Sequence, residues 1–221
     1  MSVLVFTENW DRKFKKLSFE LVSYARGVAD LLNTSVLALS VGPVEDSELM
    51  KLGQYGASRI ISIDRPELKN LDNQAWAGVI AAVALKEDAR VLILSNNNTG
   101  KAIAPRLSVK LKAGVGAGVS SLPVSTEPFT VNKRAFSGNA LAQTVIRSEM
   151  KILTLLQNSY GLCETENRAV IEKSDVQADT GFLKTEVLDV QKQTGKILLT
   201  DADIVVSGGR GMKSPDNWGP L

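Results

Sequence analysis

Short apolar runs alternate with longer amphipathic ones through the first half of the chain. Val3–Phe6, Ser35–Val41, Arg59–Asp64 and Val91–Leu94 are rich in aliphatic residues, too short for buried helices, and read as strands. Between them lie patterns of period 3.6. One places Leu21, Tyr24, Ala25, Val28 and Leu32 on one face, with Ser18 as candidate N-cap and Asn33 at the end. A second begins near Ser47, aligns Leu49, Leu52 and Tyr55, and stops at Gly56. The third runs from Asn73 to Lys86 with Trp76, Ile80 and Ala84 inward, and the fourth from Lys101 to Lys112. In the fourth, Pro105 is expected only if it falls in the first turn, because proline lacks the N–H a helix interior needs. Strands apolar on both faces, alternating with amphipathic helices, call for a parallel sheet covered on both sides. The prediction is α/β, a doubly wound and mostly parallel sheet.

Beyond Val115 the rhythm changes. Thr130–Phe136 alternates, Ser137-Gly138-Asn139 makes a turn, and Ala140–Ile146 returns, which predicts a β-hairpin added at one edge or end of the sheet. Ile152–Leu156 is a further buried strand. The first domain is therefore expected over residues 1–157. Residues 158–202 are polar and acid-rich at first and read as a linker, with Phe182–Val190 a candidate returning strand. At 203 a second α/β domain is expected to open: Ile204–Val206 as a buried strand, then glycines, then Ser214 and Pro215 as a helix start.

Composition narrows the chemistry. The chain of 221 residues has no histidine, which removes Ser-His-Asp hydrolysis, imidazole acid–base work and most zinc chemistry. Its one cysteine, Cys163, forms no internal disulfide and lies in a polar stretch with nothing to activate it. A net charge of +2 offers no general attraction to nucleic acid, and the Arg12–Lys16 basic run reads as a solvated loop. There is no signal peptide and no apolar run near the ~20 residues a membrane span needs, so a cytoplasmic chain without membrane insertion is expected.

Four stretches remain as candidates for chemistry. Thr7-Glu8-Asn9-Trp10, after the first strand, lacks the glycines of a nicotinamide-dinucleotide fold. Gly114-Val115-Gly116-Ala117-Gly118 follows a helix and precedes a strand, the wrong context for that fingerprint, and reads as a helix stop with tight packing. Asn96–Lys101 follows the fourth strand at the carboxyl end of the sheet; it is no P-loop, but asparagine caps fit, as does an anion or partner contact. Ser207-Gly208-Gly209-Arg210-Gly211-Met212-Lys213-Ser214 offers close backbone approach and a permanent planar cation, the pattern for contact with an anionic ligand.

The last of these carries a resemblance. Leu199–Ser214 resembles the segment that opens the FAD domain of the electron transfer flavoprotein alpha subunit family. Val3-Leu4-Val5, Tyr55-Gly56-Ala57-Ser58-Arg59, Phe136-Ser137-Gly138-Asn139-Ala140 and Gly100-Lys101 with Pro105-Arg106-Leu107 are also similar to it. The resemblance implies an N-terminal domain that pairs with a beta subunit and a C-terminal domain that holds FAD. It implies an electron carrier, not an enzyme with its own substrate. Electrons would come from acyl-CoA dehydrogenases, as in fatty acid beta-oxidation, or related donors, and go to a membrane-bound quinone reductase. The family's FAD-contacting arginine carries over to Arg210, flanked by Gly209 and Gly211; no metal is implied. The family's remaining FAD contacts come from about a hundred further residues, one domain's worth. The chain is accordingly expected to be an excised portion or a naturally short version that does not hold FAD tightly. Ser121-Leu122-Pro123 departs from the acidic residue more usual there, so no site is placed on it. The alternative is a stand-alone adenine-nucleotide-binding module with Asn96–Lys101 as its anion site.

Overall fold

The computed structural model describes residues 2–68, 70, 72–176, 187–191, 199, 202 and 204–219. The chain divides into two compact units, Met1–Glu186 and Val187–Leu221.

In the first unit the elements run β1 (Ser2–Thr7), β2 (Asn9–Trp10), β3 (Lys13–Phe14), α1 (Lys16–Leu31), β4 (Ser35–Val41), α2 (Asp46–Gly53), β5 (Arg59–Ile63), α3 (Asn73–Lys86), β6 (Ala89–Ser95) and α4 (Asn98–Leu111). They continue with β7 (Gly114–Val119), β8 (Ser125–Thr126), β9 (Phe129–Ala135), β10 (Ala140–Val145), β11 (Lys151–Leu155) and β12 (Val170–Lys173). The main sheet has the order β10-β9-β7-β11-β6-β1-β4-β5-β12, with β8 beside β9. From β7 across to β12 every neighbouring pair is parallel; β8, β9 and β10 are antiparallel additions at one edge. This is the doubly wound α/β sheet with an added hairpin that the periodicity predicts.

Alternation along each strand feeds two cores. Val3 and Val5 of β1, with Val91 and Ile93 of β6, pack against α1 and α2. Leu4 and Phe6, with Leu92 and Leu94, pack against α3 and α4. Phe6 meets Trp76 of α3 edge-to-face at 5.5 Å.

Several expectations need correction. Ser18 is not the cap of α1, which starts two residues earlier; its hydroxyl instead donates to the carbonyl of Glu8 at 2.7 Å, tying the helix to the end of β1. The basic run is a small hairpin, β2–β3, with Asp11 and Arg12 both left-handed at its turn and Lys15 over the Trp10 ring. α4 begins at Asn98, so Pro105 lies inside the helix, where Arg106 donates to the carbonyl of Ala102 at 2.7 Å. Part of the stretch read as linker, Val170–Lys173, pairs parallel with β5, and Glu172 accepts a two-pronged contact from Arg59 at 2.7 and 3.0 Å. Ile204–Val206 form no strand and are exposed, Ile204 at 83%. Of the candidate strand over 182–190, residues 182–186 lie outside the described residues, and 187–190 have no regular structure.

The segment after β11 is fastened to α1 by a buried carboxylate. Glu20, 2% exposed, accepts from the backbone N–H of Asn158 at 2.8 Å, Tyr160 at 2.9 Å and Gly161 at 3.1 Å. Ser23 accepts from the N–H of Cys163, and Tyr160 stands edge-on to Tyr24 at 5.4 Å. Burial, then the nearby Tyr160, pushes the Tyr24 hydroxyl well above its usual pKa, so it stays a donor, to the carbonyl of Ser121. Removing Glu20 strands three backbone donors. Glu20→Ala is expected to cost about 3 kcal/mol in urea unfolding; a loss below about 1 kcal/mol would show that water replaces the carboxylate without penalty.

Candidate functional site

The glycine–arginine turn lies in the second unit. Gly209 is extended, and Arg210–Met212 forms one 3-10 turn closed by Met212 N–H to the Gly209 carbonyl at 3.0 Å and Lys213 N–H to the Arg210 carbonyl at 3.2 Å. Lys213 takes positive φ, after which Ser214 precedes a second short turn, Pro215–Asn217. The expected helix start is thus a single 3-10 turn within the described residues. Ser214 donates to Asp216 at 3.2 Å and caps no backbone N–H, while the Asn217 side chain donates to the Met212 carbonyl at 2.9 Å and braces the turn.

Arg210 is exposed, and among the described residues a Cβ at Gly209 or Gly211 would meet no atom within 4 Å. Gly209 has a φ that any residue adopts. The first unit's glycines behave differently. At Gly100 a Cβ would overlap the Ser95 carbonyl, so main-chain packing demands glycine there, and at Gly27 and Gly114 it would come within 2.6 and 2.7 Å of the Tyr160 and Ile146 side chains, so packing favours it. Nothing of that kind demands it at 209 or 211. Open main chain beside an exposed guanidinium fits a flat, anionic cofactor that approaches the backbone closely.

The second candidate, Asn96–Lys101, sits where doubly wound folds bind ligands. The strand order reverses between β1 and β6, and the crevice outside their carboxyl ends is the usual site. Here side chains at its mouth bond to one another. Glu8, just past β1, accepts from the Ser95 hydroxyl at 2.5 Å and from the Asn97 amide at 2.9 Å. Asn97 caps α4 by accepting from Gly100 N–H at 2.9 Å, and Asn96 accepts from Thr154 at 2.9 Å. Gly100 presses on the Ser95 carbonyl. The helix N-terminus is therefore capped from within, beside a carboxylate that would repel a phosphate. Of the two readings the sequence leaves open, the cap is the one realised. Glu8 is what sequence reasoning missed: the loop was marked by its lack of glycine, and no spacing rule connects residue 8 to residues 95 and 97.

Gly114 and Gly116 are tightly packed, against Ile146 and Leu153 among others, as the packing reading expects. Cys163 is exposed. Among the described residues no cluster of His, Cys, Asp and Glu can hold a metal ion, and no helix is long and apolar enough to cross a membrane.

With this geometry in place, comparison decides the family: residues 3–179 match the model of the electron transfer flavoprotein domain. The chain belongs to the electron transfer flavoprotein family. It is 28% identical over 221 residues to an electron transfer flavoprotein subunit alpha of Megasphaera elsdenii, covering 97% of this chain and 65% of that protein. Protein FixB of Clostridium saccharobutylicum is 28% identical over 222 residues, covering 98% and 66%. An acryloyl-CoA reductase electron transfer subunit beta of Anaerotignum propionicum is 28% identical over 246 residues, covering 95% and 65%. The chain thus spans about two thirds of the length of these relatives. Its likeness to subunits named alpha in Megasphaera elsdenii and Bacillus subtilis makes it an electron transfer flavoprotein of the alpha type.

The closed crevice makes a direct test. Gly100→Ala is expected to destabilise by about 3 kcal/mol, since the added methyl overlaps main chain. Titration calorimetry with AMP or ATP is expected to give no saturable binding in the sub-millimolar range. Binding in that range that Lys101→Ala abolishes would restore the nucleotide-module reading.

Proposed function

We propose that this chain serves as an alpha-type subunit of an electron transfer flavoprotein, a carrier that has no substrate of its own to transform. Residues 1–157, with β12 added at the far edge, act as the platform for a beta-type chain; 158–202 connect, and 203–221 begin the FAD-binding part. The observation that carries this reading is the contrast between the two candidate sites. At the switch point Glu8, Ser95 and Asn97 bond to one another, whereas no described residue crowds Gly209 or Gly211 and Arg210 is exposed.

FAD, when bound, supplies the redox chemistry. This chain's own contribution is electrostatic and steric. The backbone at Gly209 and Gly211 admits the cofactor without a side chain in the way. Arg210 supplies a fixed positive charge that favours an anionic pyrophosphate or a reduced, negatively charged ring, which raises the tendency to accept electrons. Donors are acyl-CoA dehydrogenases or related flavoenzymes, and the acceptor is a quinone reductase. That one relative is named as an electron transfer subunit of acryloyl-CoA reductase supports a redox partner of the acyl-CoA class. A cytoplasmic setting fits the exposed unpaired Cys163.

The test is the absorbance spectrum of the native protein purified with its beta-type partner. Flavin bands are expected, and Arg210→Ala is expected to weaken FAD retention by about tenfold to a hundredfold, the worth of one charge-assisted hydrogen bond. A colourless complex would overturn the proposal.

A further inference from the structure

The turn that carries Arg210 ends on a backbone outlier. Neither Gly209 nor Gly211 takes positive φ; Lys213 does, at φ 60° and ψ −62°. The N–H of Ser214 donates to the Met212 carbonyl at 2.7 Å, so residues 212–214 form a γ-turn of the positive-φ kind, which is strained when its central residue has a side chain. Glycine adopts this conformation without that penalty, yet the position holds lysine. So sparsely populated a conformation persists only where neighbouring groups hold it, and such outliers gather at ligand sites.

Burial does not supply the hold, because Arg210, Lys213 and Asn217 are all exposed. A clasp does. The Met212 carbonyl accepts a second bond, from the Asn217 side-chain amide at 2.9 Å, which occupies both of its lone pairs. Asn217 is presented by the second short turn, Pro215–Asn217, in which Asn217 N–H donates to the Ser214 carbonyl at 3.1 Å and Trp218 N–H to the Pro215 carbonyl at 3.0 Å. Pro215 enters that turn with its φ already fixed.

A single 3-10 turn in water is marginal, since one or two bonds must offset the ordering of several residues. Each of the two turns here is of that size, and the γ-turn at Lys213 is the joint between them. Asn217 reaches back across the joint to residue 212 and makes the pair one body.

We propose that Asn217 is a positioning residue for the flavin contact: by clasping the Met212 carbonyl it holds the first turn formed, so that Arg210 and the backbone at Gly209 and Gly211 meet FAD already ordered. Without the clasp Lys213 relaxes from positive φ, the two turns part, and the ordering of Arg210 must be supplied on binding. Asn217 acts here through Arg210 and not by touching the cofactor. The inference rests on the functional reading above for the identity of the ligand.

The experiment is FAD titration of the full native protein with its beta-type partner, followed by measurement of the bound flavin's reduction potential. Asn217→Ala is expected to weaken FAD binding about fivefold or more, the worth of one hydrogen bond. The same substitution is expected to cost less than about twofold where Arg210 is already Ala, and where Lys213→Gly has removed the strain, because coupled residues are not additive. The potential of the flavin in Asn217→Ala is expected to move negative, in the direction of Arg210→Ala; a general loosening of the fold would lower retention without moving it. Asn217→Leu, which keeps the branched shape and removes the donor, is expected to match Asn217→Ala and replaces it should that variant fail to fold. If the unsubstituted complex carries no flavin, the functional reading falls and this inference with it. If it carries flavin, and the loss of Asn217 leaves binding within about twofold or costs the same with and without Arg210, this inference alone falls.

Discussion

The middle of this sheet is buried on both faces, and most of the architecture follows from that. β1 sends Val3 and Val5 into one core and Leu4 and Phe6 into the other, and β6 does the same with Val91, Ile93, Leu92 and Leu94. Helices must cover both faces, because an open face would leave a row of aliphatic side chains in water. The ends of such strands then become the places where polar groups meet. At the carboxyl ends of β1 and β6 the groups that arrive are Glu8, Ser95 and Asn97, and they bond to one another. A crevice that related architectures leave open for ligands is here bordered by three mutually bonded side chains and one glycine pressed on main chain.

The glycines divide along the same line. In the first unit they are packing devices: Gly27 accommodates Tyr160 and Leu122, Gly53 the backbone of Ala169, and Gly114 the side chain of Ile146. At Gly209 and Gly211 there is no neighbour among the described residues to accommodate and no unusual φ at Gly209 to permit. A small residue that nothing in its own surroundings requires suggests a role toward something that approaches from outside. The adjacent arginine says what sign of charge that should be.

Much of the fold was legible in the residues, and the failures have physical causes. Helices and strands over 35–95 could be read because two-sided burial leaves unambiguous periods; Asn73–Lys86 matches α3 end to end. Ser18 misled because a hydroxyl near a helix start has two uses, and here a long-range bond to Glu8 won over the local cap. β12 was hidden because an edge strand needs little apolar surface: Val170-Ile171-Glu172-Lys173 sits in an acid-rich stretch, and its anchoring comes from Arg59, more than a hundred residues away. Glu20 was invisible for the same reason, since its partners are the backbone N–H groups of a segment that carries no side-chain signature. At the glycine–arginine turn the composition was readable and the conformation was not. Ile204–Val206 look like a core strand, yet they are exposed, and an apolar triplet cannot itself say whether a covering surface exists.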